Sequence, residues 1–548
     1  MKFYFYNLTI FDTFFILKNI LEYKKNKTHF YIYKSTGASL IIYFLDLFFN
    51  IKIQKLDFKL KDIRNNKETL IKFIISSKDS FDIMDGILKN YDLNNIIPPP
   101  FLDSRLKEYI KKNIIRGYVN SEELNIPKIL YVINVISQEK NESSEKISFV
   151  LKIIPFESII NNYASKFGVN LVFKKKYIFD KNLKDEIFYY FRFSAKIFTF
   201  LKSIFQYKID FTYNKKHIKV FIEGRGNVNL GLDEGDRSDL FLLRYNKILP
   251  KEIAFRYNSR KMKKILKKYS IYPVSGSSKY HKFSKMELPC LKLDKENFGW
   301  LEVKELQNLA SKYYLNRAYW YSLFKNNNIK VHLTWFDNNA DHMAIADGMR
   351  DFGGIASIWQ TSFYGFKNYE CITNTDILFN FSKFDYETNI SLGSKNKYNI
   401  ITGFIFDYST HNINQKAIKI KNRLLKNGAK KIINVMDENC SMDERWHTGI
   451  SYQRENYNLI LKKVLDIPWL GVIFKPKKVS TLIKRLGPIN EILNIAIKTG
   501  RCIILDQTGS SMSLNSPLLA SMVADISVHA HLFAGTAAIE CALHGKKT

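Results

Sequence analysis

Gly535, Thr536 and Glu540 are the residues of this chain whose types and spacing best suit chemistry. Glycine lets a ligand approach the backbone closely. Glu540 follows Thr536 by four positions, so one helical turn brings both to one face. A carboxylate placed there can accept both hydroxyls of a ribose while the turn before it holds phosphates. The flanking residues supply the setting. Residues 524–528 form a short apolar run suited to a buried parallel strand, with Asp525 near its start. Residues 529–535, with two histidines, two alanines and Gly535, are read as a turn. Residues 536–544 run without a breaker until Gly545, the residue type that stops a helix. Strand, glycine turn and helix together put free N–H groups and a positive dipole end at the carboxyl edge of a sheet, which suits a phosphate. A plain tight turn followed by a solvated helix fits the same residues, because one glycine turn is a weak signal.

Other candidates sit at predicted strand ends. Residues 470–474 predict a strand ending in Lys475-Pro476-Lys477-Lys478, and a lysine fixed there by proline is well placed for a diphosphate. Residues 431–437 predict the strand before it. The charged loop that follows holds Arg445 and His447, which can meet an anion or simply face solvent. Further back, 331–335 predict a strand with Asp341 and His342 crowding its carboxyl end. Residues 355–359 predict the next strand, followed by Gln360. Ligands of parallel sheets gather beyond such ends. Asp341 can act as a general base, and it equally fits a helix N-cap. Adjacent residues on a helix diverge, so Asp341 and His342 need not share a target.

The segment Ala524-Asp525, Gly535-Thr536-Ala537-Ala538-Ile539-Glu540 and Gly545-Lys546 resembles the donor-site segment of GT-B glycosyltransferases. It is most similar to enzymes of bacterial surface and capsular polysaccharide assembly and to the related glycerophosphate-polymer transferases. The resemblance implies donor phosphates beside Gly535 and Thr536, a donor ribose at Glu540, and donor contact from Lys475. It departs from the family at His529, Ala530 and His531, where glycine or serine is usual. Around Gln360 the likeness continues through Thr375-Asp376-Ile377-Leu378-Phe379 and Thr402-Gly403-Phe404. Glycerophosphate-polymer transferases carry Gln-His-Gly where this chain has Gln360-Thr361-Ser362, which moves the implied donated group towards a sugar. A GT-B domain continues beyond this last helix, so the resemblance implies a donor domain cut short at Thr548.

A chain of 548 residues exceeds one core; roughly 3 to 4 units are expected. A hydrophobic fraction of 46% excludes a disordered chain. The net charge of +32 raises nucleic acid as a partner, but the charge is spread along the chain. Abundant Lys, Asn, Ile, Phe and Tyr fit an AT-rich coding bias, so nucleic acid is set aside. Five widely spaced cysteines with no CxxC pair indicate neither a zinc site nor a disulfide framework. The apolar run 40–49 is interrupted by Asp46 and falls short of the ~20 residues of a membrane span.

The elements expected to position these residues follow. Residues 29–33, 39–45 and 147–154 predict strands, 80–90, 102–115 and 177–205 predict helices, and 137–145 a polar loop. Strands at 219–223, 239–243, 252–257 and 271–274 with a helix at 261–268 give βαβ rhythm around the loop 224–235. The expected architecture is α/β, with two Rossmann-like domains facing a cleft (GT-B) and an enlarged N-terminal half. Its parts are an α/β region over 1–215, an acceptor-side domain over 216–410, a hinge over 411–430 and an incomplete nucleotide-sugar domain over 431–548. The expected function is sugar transfer to a growing cell-surface polysaccharide, without metal or cofactor. Asp341 and Gln360 are the catalytic candidates, and Lys475, Gly535, Thr536, Glu540 and Arg445 the donor-binding ones. The partners are a nucleotide-sugar donor and a glycan or lipid-linked acceptor. The place is the cytoplasm, with peripheral attachment to the inner membrane as an option. A nucleotide-sugar 2-epimerase of the same fold and a non-enzymatic polyanion- or membrane-binding protein are the rivals.

Overall fold

Short apolar runs recur along this chain, and strands covered on both faces assemble into parallel sheets. The computed structural model describes residues 2–8, 12, 28–34, 38, 42–43, 45–47, 51–56, 78–90, 93–116, 126–141, 147–174, 218–224, 239–240, 242–243, 247–257, 259–275, 291–292, 299–335, 339–360, 362–363, 367, 371–405, 413–437, 450–505, 515–530 and 535–548. Among the described residues there are three sheets, and every pairing in them is parallel.

The first sheet holds β1 (Lys2–Leu8), β2 (Thr28–Lys34), β3 (Lys52–Lys55), β4 (Ile147–Lys152) and β5 (Asn170–Lys174), in the order β3-β2-β1-β4-β5. The second holds β6 (Val220–Glu223), β7 (Ile253–Tyr257), β8 (Tyr272–Ser275), β9 (Val331–Thr334), β10 (Ile355–Trp359), β11 (Ile377–Asn380) and β12 (Tyr398–Ile401), in the order β8-β7-β6-β9-β10-β11-β12. The third holds β13 (Lys431–Asp437), β14 (Leu470–Lys475), β15 (Cys502–Ile504) and β16 (Ile526–Ala530), in the order β15-β14-β13-β16. Each sheet starts inside, grows to one side and then crosses to the other. This doubly wound order opens a crevice beyond the carboxyl ends of β1/β4, β6/β9 and β13/β16. The α/β class and the Rossmann-like winding are therefore as expected, and the N-terminal half contributes a third sheet of the same kind.

Helices cover these sheets. Around the first lie α1 (Ser80–Asn90), α2 (Leu106–Arg116), α3 (Ile126–Asn141) and α4 (Glu157–Lys166). The second has α5 (Arg260–Lys268), α6 (Trp300–Asn327), α7 (Asp341–Asp351) and α8 (Lys383–Ser391). With the third go α9 (Ile413–Lys426), α10 (Ile450–Asp466), α11 (Asn490–Lys498), α12 (Pro517–Val523) and α13 (Thr536–Leu543).

Helix α6, with 28 residues and so about 42 Å long, ties the first two sheets together. Leu309 and Tyr313 in its first half join the core of Tyr109, Ile133 and Phe149, while Trp320 and Phe324 pack with Phe221. Arg105 adds a polar strut. Its guanidinium reaches Asp347 Oδ1 and Asp376 Oδ1, each at 2.7 Å, and its backbone N–H donates to Asp347 Oδ2 at 2.8 Å. Burial opposes the Arg105 charge, but the two carboxylates outweigh it and hold its pKa above the ordinary value.

Several expected elements differ, each for a matter of spacing. In 39–45 the described residues are helical, because Ala38, Ile42 and Leu45 pack at helical intervals against Phe3, Phe5 and Tyr31. The described residues of 239–243 turn instead of extending, and Leu240 and Leu243 are buried three residues apart. The loop expected at 137–145 begins as the end of α3, where Ser137 Oγ donates to the Asn134 carbonyl. The stretch 411–430 contains α9, whose Ile413, Ala417 and Leu424 are buried with Leu518 and Leu519 of α12. Strand β16 lies at the sheet edge with Ile526 and Val528 exposed, so it is buried on one face only. The helix expected at 177–205 lies outside the described residues, as does nearly all of the loop 224–235.

Candidate functional site

Gly535, Thr536 and Glu540 lie at the β13/β16 crevice. Asp525 fixes the start of β16, since its Oδ2 accepts the Ile432 N–H at 2.8 Å. After β16 the chain re-emerges at Gly535, the N-cap of α13, with φ −83° and ψ 165°. That extended conformation does not itself demand glycine. The demand comes from His529, whose imidazole stands where a Cβ on residue 535 would lie. His529 thus sits against Gly535. At the other end, Gly545 adopts φ +67°. There the Lys546 N–H donates to the Cys541 carbonyl at 3.1 Å and the Gly545 N–H to Ala542 at 2.9 Å, a Schellman stop. Glu540 is 2% exposed, which removes the reading of a solvated helix residue. Thr536 faces another unit: its Oγ1 accepts the Phe363 N–H at 2.8 Å.

Beside it, Asp437 at the end of β13 grips the lysine loop. Its Oδ1 accepts the Lys477 N–H at 2.6 Å. Its Oδ2 accepts from Gln453 Nε2 at 2.6 Å and Tyr457 Oη at 3.0 Å. These two donors are one turn apart on α10, which is why both reach it. Burial, then the neighbouring Asp437 charge, holds the Tyr457 phenol well above its ordinary pKa, so it stays a donor. Arg485 lies 3.6 Å from Asp437 and donates to the Lys478 carbonyl at 3.0 Å, closing the loop from the other side. Lys475 is 6% exposed, with Nζ 3.4 Å from the Pro476 carbonyl. Arg445 and His447 lie outside the described residues.

In the second sheet, Gln360 follows β10 and is fully buried. Its Nε2 donates to Ser362 O at 2.9 Å and to Asp385 Oδ1 at 2.7 Å, and its Oε1 accepts the Phe381 N–H at 2.9 Å. Asp385 is held in turn by Ser382 Oγ at 2.6 Å, the N-cap of α8. The Gln360 amide is therefore committed to shaping the turn that presents Phe363. The Phe363 ring stacks on Phe384 with centroids 5.5 Å apart.

Asp341 begins α7, one residue past the N-cap Ala340. Its carboxylate accepts from Asn316 Nδ2 at 3.2 Å and Asn339 Nδ2 at 3.4 Å. His342 turns away as its neighbour position requires. Its Nε2 accepts the Asn374 N–H at 3.2 Å, which leaves Nδ1 to donate to the Asn339 carbonyl at 2.7 Å. His342 is thus a satisfied, neutral core histidine.

Sequence reasoning missed one buried charged cluster at the β6/β9 crevice. Glu223 ends β6 and lies 3.0 Å from His332 Nε2, with Arg256 paired to its other oxygen. Burial raises the Glu223 pKa, but the His332 hydrogen bond and the Arg256 charge prevail and bring it below the ordinary value. Asp385 was missed too, although Ser382 and Asp385 at a three-residue spacing carry a capping signature.

The structure thus joins the Gln360 turn to Thr536 through Phe363, and joins Asp437 to the lysine loop. No hydrogen bond or ion pair among the described residues links Asp341 to Gln360 or Thr536.

No family model matches the chain, and no curated protein sequence matches it. Solved structures overlap it at low similarity. HepE of Anabaena, in complex with UDP and glucose, is 10% identical over 59% of this chain and 79% of its own, with a TM-score of 0.31. The α,α-trehalose 6-phosphate synthase of Burkholderia multivorans is 9% identical over 57% and 76%, with a TM-score of 0.32. The N-terminal domain of trehalose-6-phosphate phosphatase from Candida albicans is 14% identical over 56% and 77%, with a TM-score of 0.30. Likeness at this level carries no inference about activity.

Proposed function

We propose that this chain is a GT-B glycosyltransferase that moves a sugar from a nucleotide-activated donor to a growing cell-surface polysaccharide. The observation that carries the reading is the 2.8 Å bond from Phe363 N–H to Thr536 Oγ1. It sets the carboxyl-end turn of the second sheet against the start of α13, at the crevice of the third. A donor held by one unit would meet an acceptor held by the other.

In this reading Gly535 and Thr536 take the donor phosphates at the helix N-terminus, and the buried Glu540 takes the ribose. Lys475 and Arg445 neutralise the leaving diphosphate, the task a metal performs elsewhere. Asp341 accepts the proton of the acceptor hydroxyl. Gln360 serves by holding the Phe363 turn. Among the described residues no helix is long and apolar enough to cross a membrane, and the acceptor would be a glycan or lipid-linked glycan met at the inner membrane's cytoplasmic face.

The test is incubation with labelled nucleotide sugars, with and without membrane fractions bearing acceptor. Nucleotide release and label transfer that both require the acceptor support the proposal. Sugar isomerisation without acceptor would replace it with the 2-epimerase. Salt-sensitive binding to any polyanion, with neither reaction, would replace it with the binding protein.

A further inference from the structure

A cavity of about 380 Å³ lies in the seam between the first two units, within the range of small-molecule sites. One wall comes from α1 and α2. The other comes from Lys367, Ile372 and the residues at the end of α8. Four lysines line it, Lys111, Lys112, Lys367 and Lys395, against the two carboxylates of Asp85 and Glu108. The lining therefore carries two net positive charges. Glu108 is already held between Lys111 Nζ at 3.4 Å and Lys395 Nζ at 2.9 Å.

Lys112 is 1% exposed, and its Nζ donates to the Ile372 carbonyl at 2.5 Å. Lys112 thereby brings a buried N–H donor group to the cavity wall. Lys367 and Lys395 stand exposed at the rim. Met84, Ile372 and Leu392 give the same cavity a buried apolar side.

We infer that this cavity binds a small phosphorylated compound with an apolar or ring-shaped body. The phosphate lies among Lys112, Lys367 and Lys395, and the body rests against Met84, Ile372 and Leu392. Helix α8 connects this site to the turn described above. Its first turn supplies Asp385 to Gln360 and Phe384 to Phe363, and Ser391 at its end lines the cavity. Nine residues make a rigid link of about 13 Å. A ligand in the cavity therefore stiffens the element that presents Phe363 to Thr536. The inference is independent of what the cleft binds.

The experiment is calorimetric titration of the full chain with phenyl phosphate, and separately with inorganic phosphate. One equivalent of phenyl phosphate should bind, more tightly than inorganic phosphate. The rim variant Lys367→Ser/Lys395→Ser should weaken it by at least about tenfold. Lys112→Met should weaken it as well, and the rim variant keeps the test decisive if the buried substitution unfolds the protein. A saturating nucleoside diphosphate should leave phenyl phosphate binding unchanged, which separates this site from the nucleotide site. Absence of binding by the folded wild-type chain, or affinity untouched by the rim variant, would overturn the inference. So would binding to phosphatidic acid vesicles that phenyl phosphate fails to displace, since the lysines would then serve a lipid surface.

Discussion

Phe363 and Thr536 meet across the second and third units through a single 2.8 Å hydrogen bond, from backbone N–H to side-chain Oγ1. Thr536→Val keeps the side-chain shape and removes the acceptor. It should lower stability by about 1 kcal/mol, while Thr536→Ser stays near wild type. Urea unfolding of the three proteins checks this. Equal midpoints for valine and serine would mean that the contact holds nothing together.

Gly535 should not tolerate a side chain, because His529 occupies the space. Gly535→Ala should cost about 1–3 kcal/mol. The same change made in His529→Ala should cost much less, with a coupling energy of about 1 kcal/mol or more. A double-mutant cycle by urea unfolding measures it. Additive losses would mean that the glycine is needed for a reason other than the imidazole.

Gln360 bridges Asp385 and the Phe381 N–H. Gln360→Leu removes this partner from Asp385 Oδ1 and from the Phe381 N–H and should destabilise by about 1–3 kcal/mol for each group left unpaired. Gln360→Glu should be worse, since it sets a carboxylate against Asp385. A glutamate variant as stable as wild type would show that the network in solution differs from the one described.

His29 makes a pH signature in the first sheet. It is 1% exposed, its Nδ1 accepts the Phe3 N–H, and burial lowers its pKa from 6.5 to about 4. The unfolded imidazole binds a proton near pH 6.5, whereas the folded one waits until about 4. The unfolded state therefore holds more protons in that window, and stability falls as pH drops through it. The loss attributable to His29 should approach about 3 kcal/mol. His29→Leu should flatten that part of the stability–pH curve relative to wild type, as followed by urea midpoints from pH 7 to 4. Parallel curves for the two proteins would contradict the assignment.

Much of this was legible in the sequence where a single period dominates. The strand at 431–437 and the helix at 80–90 fall where their apolar spacing puts them. Helix α13 is as read, because Gly535 and Gly545 bracket an unbroken helical run. Errors gathered where apolar residues three or four apart lie among aromatic neighbours, as in 39–45 and 239–243. The long helix α6 escaped notice because it buries different faces at its two ends, Tyr313 in one core and Phe324 in another. No single stripe marks such a helix. The site was legible only in part. The spacing of Thr536 and Glu540 is local, whereas the Phe363–Thr536 and Gln360–Asp385 contacts are long-range products of the fold.

The most direct test of the central claim is a calorimetric and thermal-shift titration with nucleoside diphosphates, comparing wild type with Glu540→Ala and using Glu540→Gln as the packing control. At ~100 times its dissociation constant the matching nucleotide should stabilise the wild-type chain by about 2.7 kcal/mol. Glu540→Ala should lose most of that stabilisation while the rest of the fold persists. A folded wild-type chain that binds no nucleotide, or a Glu540→Ala variant that binds as tightly as wild type, would contradict the donor site and the transferase reading with it.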